Sequence, residues 1–147
     1  GLHPGELEIE VTESALLRQS GPALEVLEGL RRLGVYLAVD DFGTGYSSLA
    51  ALRQMPVYRL KIDGSFIQGL LDDPVDRAVI AAINDIAHSV GKRTVAEYVD
   101  RPNVMAALLA CGVDFVQGYY IGRPTADLGL AYRQSQRNGR APLAAAG

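Results

Sequence analysis

The alternation of apolar and polar residues along the chain switches period five times. Residues 6–11 read as a strand, with Leu7, Ile9 and Val11 on one face and Glu6, Glu8 and Glu10 on the other. Ser20 and Pro22 then open a helix with an expected stripe of Val26, Leu27, Leu30 and Leu33, closed by Gly34. A second strand covers Tyr36–Phe42 and is followed by a short helix from about Ser48 to Met55, which Pro56 stops. The third strand, residues 58–63, leads through a loop into a long helix. There Val75, Val79, Ile83, Ile86 and Val90 are expected to face inward before Gly91. Residues 93–99 form the fourth strand, Pro102–Gly112 its helix and residues 115–121 the fifth strand, with one more helix near residues 128–136. The last stretch, residues 137–147, is Ala, Gly and Pro with little apolar bulk and reads as a disordered tail.

Strict alternation of strand and helix implies an α/β protein with parallel strands and right-handed crossovers. An open doubly wound sheet and part of a (β/α)8 barrel both fit. Polar residues recur at the C-terminal end of each strand: Glu10 and Glu13, Asp40 and Asp41, Lys61 and Asp63, Glu97, Gln117. Strand ends converging on one mouth are the habit of a TIM-type barrel, whereas a doubly wound sheet gathers such residues at one switch point. About five strands do not close an eight-stranded barrel, so the fold expected is a partial one.

Composition narrows the chemistry. With 147 residues, 48% hydrophobic and 21% charged, and a net charge of −3, the chain is one ordinary globular unit without the basic stripe of a nucleic-acid polymer binder. Cys111 is the only cysteine, so no disulfide forms within the chain, and with His3 and His88 as the only histidines a zinc site is short of ligands. No apolar run approaches a membrane span and no signal peptide is present; the default location is cytoplasmic.

The remaining donors are oxygens, which favour Mg2+, Mn2+ or Ca2+. Asp40 and Asp41 would normally point to opposite faces of a strand, but at its last turn both can reach one metal cluster. Two metals sharing carboxylates suit in-line attack of water on a phosphodiester, with Lys61 steadying the nucleophile or a phosphate oxygen. Blander readings stand beside these. Glu8 and Glu10 suit a solvated strand face, Asp41 a turn cap, and Ser47 or Ser48 a helix cap. Gly43 and Gly45 suit a turn, Lys61 alone the surface, Asp72 and Asp73 the cap of the helix at Pro74, and His88 packing or solvent. GTGYSS fails the dinucleotide fingerprint at its final glycine. Magnesium-assisted proton abstraction with Lys61 as base is a further reading of the same donors.

Four motifs in order are more specific: Glu10-Val-Thr-Glu13-Ser, Asp40-Asp-Phe-Gly-Thr-Gly-Tyr-Ser-Ser-Leu49, Leu60-Lys-Ile-Asp63, and Gln117-Gly-Tyr119 followed by Gly122-Arg-Pro124. In this order and spacing they resemble the EAL domain family, bacterial cyclic di-GMP phosphodiesterases built on a (β/α)8-type barrel. The resemblance makes residues 1–136 the C-terminal portion of such a domain. It implies Glu10, Asp40 and Asp41 as ligands of a two-metal Mg2+ or Mn2+ site and Lys61 and Glu97 as catalytic groups. Glu13, Asp63 and Gln117 would act in supporting or substrate-binding roles, and the product would be pGpG.

The family's Glu-Ala-Leu strand and a metal-binding asparagine belong to an N-terminal half that this sequence does not include. At Ala96-Glu-Tyr-Val-Asp100, Tyr98 stands where the family usually has glycine and Asp100 where it has glutamate. The expectations are an isolated chain that does not turn over, an upstream sensory or GGDEF-type module through which the whole protein can be membrane-tethered, and an open strand edge at residues 6–11 that favours association such as a homodimer. The alternative is a degenerate domain that serves as a cyclic di-GMP receptor or protein-interaction module.

Overall fold

The computed structural model describes residues 3–17, 21–45 and 49–126. The expected caps at Ser20, Ser47 and Ser48, the helix near residues 128–136 and the tail lie outside them. The described residues form five strands: β1 (Glu8–Thr12), β2 (Tyr36–Phe42), β3 (Arg59–Ile62), β4 (Arg93–Ala96) and β5 (Phe115–Val116). Helices α1 (Glu13–Leu17), α2 (Gly21–Arg32), α3 (Leu49–Gln54), α4 (Gly64–Gly69), α5 (Pro74–Ser89) and α6 (Pro102–Ala110) connect them.

The sheet runs β1-β2-β3-β4-β5 with every pairing parallel. A sequential order has no switch point, so the arrangement is a curved segment of a (β/α) barrel rather than a doubly wound sheet; among the described residues the barrel is not closed. One face of the sheet carries Leu37, Val39, Phe42, Leu60, Ile62, Ala96 and Val116 into a core shared with Leu27, Leu52, Ile67, Ile80, Ile83 and Leu108 from the helices. The other face carries Glu8, Glu10, Asp40, Arg59, Lys61 and Glu97. There Arg59 of β3 pairs with Glu8 of β1 and lies over the rings of Tyr36 and Phe115.

The structure corrects several readings. The strands are shorter than expected at β3, β4 and β5, and a 3-10 turn at Pro4–Glu6 precedes β1. In α2 Leu27 is buried, but Val26 and Leu33 are exposed. In α5 the inward stripe is Ile80, Ile83 and Ala87, while Val75 and Ile86 face solvent. Asn84 is buried on the same helix: its Oδ1 accepts from Thr94 Oγ1 at 2.6 Å, and its Nδ2 donates to the Cys111 carbonyl. Helix α4, six residues from Gly64 to Gly69, stands where the sequence pattern predicts loop. Asp73 caps α5 by accepting from the Val75 N–H at 2.7 Å, without Asp72.

Two features tie the N-terminal end of the sheet. Lys92, buried at the start of β4, donates its ammonium to the carbonyls of Met55 and Val57, both at 2.9 Å, and burial alone lowers its pKa. Asp114, just before β5, accepts from His88 Nε2 (2.7 Å), Arg93 Nη1 (2.6 Å), the Thr94 N–H (2.9 Å) and Thr94 Oγ1 (3.2 Å). Burial pushes the Asp114 carboxyl up, but these partners outweigh it and hold its pKa below the ordinary value.

Candidate active site

The site begins with an irregularity. Between β2 and β3 the register runs Val39↔Leu60 and then Phe42↔Ile62, so β2 spends one residue more than its neighbour. That β-bulge coincides with Asp41, whose φ of 55° is left-handed. An unbroken pleat would send Asp40 and Asp41 to opposite faces. With the extra residue, Val39 and Phe42 both face the helices and both aspartates reach the mouth. One carboxylate oxygen from each of Asp40, Asp41 and Glu97 lies within 4.8 Å of the other two.

Lys61 stands among these acids, buried at 3% exposure. Its ammonium lies 2.7 Å from Glu10, 2.7 Å from Glu97 and 3.1 Å from Asp40. Burial disfavours its charge, yet the contacts with Glu10, Glu97 and Asp40 overcome that and raise its pKa above the usual lysine value. The Glu97 pKa is raised by burial, against the opposing pull of Lys61. Asp41 is raised by desolvation and then by the charges of Asp40 and Asp63. One ammonium is thus shared by the three carboxylates of Glu10, Asp40 and Glu97, with that of Asp41 beside them.

That imbalance tests the site for a metal. Oδ1 of Asp40 is buried and is paired with the Lys61 ammonium at 3.1 Å, a charge that Glu10 and Glu97 already share at 2.7 Å. A buried carboxylate whose ammonium partner is shared with two other acids, in a cluster with an excess of negative charge, fits a divalent cation. Asp40, Asp41 and Glu97 are the residues placed to hold one, with Glu10 within reach of the same lysine.

The other predicted residues divide. Glu13, at the start of α1, is buried, and its Oε2 accepts from the N–H groups of Gly43 (3.1 Å) and Gly45 (3.2 Å) in the loop after the aspartates. A Cβ at Gly45 would lie 2.9 Å from that carboxylate, so the loop packs closely over it. Asp63 does not join the cluster of three acids. It caps α4, accepting from the N–H and hydroxyl of Ser65, because the chain leaves β3 at Ile62. Gln117 is exposed, its backbone bonded to Ala96 and Val99, and its side chain lines a cleft of about 320 Å³ with Glu97, Tyr98, Asp100, Gly118 and Tyr119. Sequence reasoning missed the contribution of Gly118 to that wall. A Cβ there would fall 2.2 Å from the Val99 carbonyl oxygen, and the Gln-Gly pair was the available signal.

Three comparisons bear on this arrangement. The model of the EAL domain matches residues 1–124. The cyclic di-GMP phosphodiesterase PdeB of Shewanella oneidensis is 39% identical over 115 residues, 78% of this chain and 13% of PdeB. The bifunctional diguanylate cyclase/cyclic di-GMP phosphodiesterase MucR of Pseudomonas aeruginosa is 41% identical over 123 residues, 84% of this chain and 18% of MucR. The chain therefore spans less than a fifth of the length of these curated relatives. The solved PaMucR phosphodiesterase in complex with c-di-GMP superposes with a TM-score of 0.80 at 40% identity, over 88% of this chain and 52% of that one. BlrP1 of Klebsiella pneumoniae, in a manganese/cy-diGMP complex, gives 0.75 at 31% identity, over 84% and 31%.

Proposed function

Because the chain belongs to the EAL domain family, we propose that it supplies one side of a phosphodiesterase site that opens cyclic di-GMP to linear pGpG by attack of water. The observation that carries this reading is the bulge-driven meeting of Asp40 and Asp41 with Glu97 around one shared ammonium. Mg2+ or Mn2+ held by Asp40, Asp41, Glu97 and Glu10 would supply a water acidic enough to attack at neutral pH and positive charge opposite the phosphate.

The chain's own residues do the rest. Lys61, fixed by three carboxylates, offers a rigid positive charge for the nucleophile or an equatorial phosphate oxygen. Glu97 adjoins that ammonium and is placed to receive a proton. Glu13 holds the loop of Gly43 and Gly45 in place beneath the substrate. Gln117 reaches the nucleotide from β5.

Chromatographic detection of pGpG after incubation with cyclic di-GMP and Mn2+ or Mg2+ tests the reading. The whole protein is expected to turn over and to stop on chelation. The 147-residue chain alone is expected to be inert, because its five described strands wall only part of the mouth; turnover on the order of 1 per second from it would contradict this. A second reading, a receptor that binds without hydrolysis, is favoured by Tyr98, a bulky residue held at a φ of 53° beside Glu97; it predicts binding by the whole protein without pGpG. Among the described residues no helix is long and apolar enough to cross a membrane. The proposal places the site in the cytoplasm, downstream of a sensory or cyclase module such as the double name of MucR implies. A homodimer is the further partner it allows.

A further inference from the structure

Among the described residues only two that are not glycine have positive φ, Asp41 at 55° and Tyr98 at 53°. The first belongs to the acid cluster. The second carries a large ring, for which the left-handed conformation is a genuine outlier, and such strain persists where surrounding structure imposes it. Burial does not explain it, since Tyr98 is 66% exposed. The ring is nonetheless fixed from behind. It lies against Gly64 so closely that a Cβ there would fall 2.2 Å from its Cδ2 and 2.8 Å from its Cε2 and Cγ.

Tyr98 also lines the cleft that contains Glu97, Gln117 and Tyr119. Tyr119 is itself 65% exposed, and the Arg123 guanidinium lies 4.3 Å from its ring centroid, which restrains that ring too. Two restrained, solvent-facing aromatic rings and an uncommitted amide in one cleft beside a phosphodiester site are the equipment for a nucleobase: π surface for stacking, polar edge for hydrogen bonds.

We propose that the cleft between Tyr98 and Tyr119 is a purine subsite in which Tyr98 is the stacking platform, so that this residue sets affinity for one guanine base of the dinucleotide. Naming guanine rests on the cyclic di-GMP reading; the cleft's suitability for a planar purine does not. Gly64 serves as the bare floor that lets the ring lie where it does.

Calorimetric titration of GMP, with ribose 5-phosphate as the baseless control, into the full chain and its Tyr98→Gly and Tyr98→Phe variants tests this. Glycine relieves the backbone strain while removing the ring, so folding is protected, and the thermal transition is recorded for each variant. GMP is expected to bind the parent, ribose 5-phosphate far less. Tyr98→Gly should weaken GMP by roughly 5- to 150-fold, the range for loss of one stacked base, and Tyr98→Phe should retain it. In the whole enzyme the same Tyr98→Gly change should appear in KM for cyclic di-GMP rather than in kcat. No binding of GMP to the parent, equal binding to Tyr98→Gly, or an effect confined to kcat would overturn the subsite. Tyr98-dependent GMP binding in a protein that never produces pGpG would leave the subsite standing and remove the hydrolytic reading instead.

Discussion

The two ends of β4 hold acids next to bases, and they are organised in opposite ways. At its start, Asp114 accepts four hydrogen bonds, from His88, Arg93 and Thr94, and its pKa is pulled down. At its far end, Glu97 meets Asp40, Asp41 and Lys61 with more carboxylates than donors; two of the acids have raised pKa values, and one ammonium is divided among Glu10, Asp40 and Glu97. The difference separates holding from doing. A satisfied carboxylate joins α5, β4 and the approach to β5, whereas an unsatisfied group is kept in deficit so that something else can complete it.

Asp40→Asn should break the contrast most strongly. It removes one charge from the crowded acid cluster, so hydrolysis by the whole protein is expected to fall on the order of 100-fold or more, with the melting temperature unchanged or higher, since crowding among like charges is relieved. Loss of folding together with activity would mean that the mouth is structural after all. Asp114→Asn should do the reverse, lowering stability by about 1–3 kcal/mol in denaturant titration while kcat is kept.

Acid titration sharpens the same comparison. Because the folded-state pKa of Asp114 is depressed, its stabilisation is complete above the unfolded value of about 3.9 and is lost as pH falls through the folded value. Glu97 has a raised pKa, so its ionised form opposes folding and its protonation on acidification relieves that cost. Stability curves between pH 6 and 2 should therefore be shallower in Asp114→Asn than in the parent. The smallest expected effect is that of Gly64→Ala, which forces a methyl into the Tyr98 ring and should cost about 1 kcal/mol. In the Tyr98→Gly background the same change should be neutral, a coupling readable by a double-mutant cycle.

Much of this was legible in the chain. The bounds of β2 at Tyr36 and Phe42 follow from an apolar run ended by a turn, and the parallel order follows from the alternation of periods. That Asp40, Asp41, Lys61 and Glu97 come together was legible because each stands near the end of a strand pattern. What escaped was non-local. The Asp114 cluster joins residues 20 and more positions apart, and nothing near His88 or Asp114 in sequence announces the other. Asn84 and Ala87 facing inward in α5 defeated a stripe drawn from the largest apolar residues. The role of Asp63 as a helix cap was masked by its spacing from Lys61, which would share its face had the strand continued. The bulge was anticipated only as freedom in the last turn of a strand, since a register shift belongs to a pair of strands and not to one.

The sequential strand order has a consequence for how the molecule is made. Each strand after the first pairs with the one synthesised just before it. A growing polypeptide can therefore add one strand and one helix at a time, without opening an established pair to insert a later arrival, and its loop closures stay short. The contacts of Asp114 come last in that series. They arrive with the segment before β5 and fasten α5 and β4, two elements already emerged, so the fifth described strand locks its predecessors as it joins them.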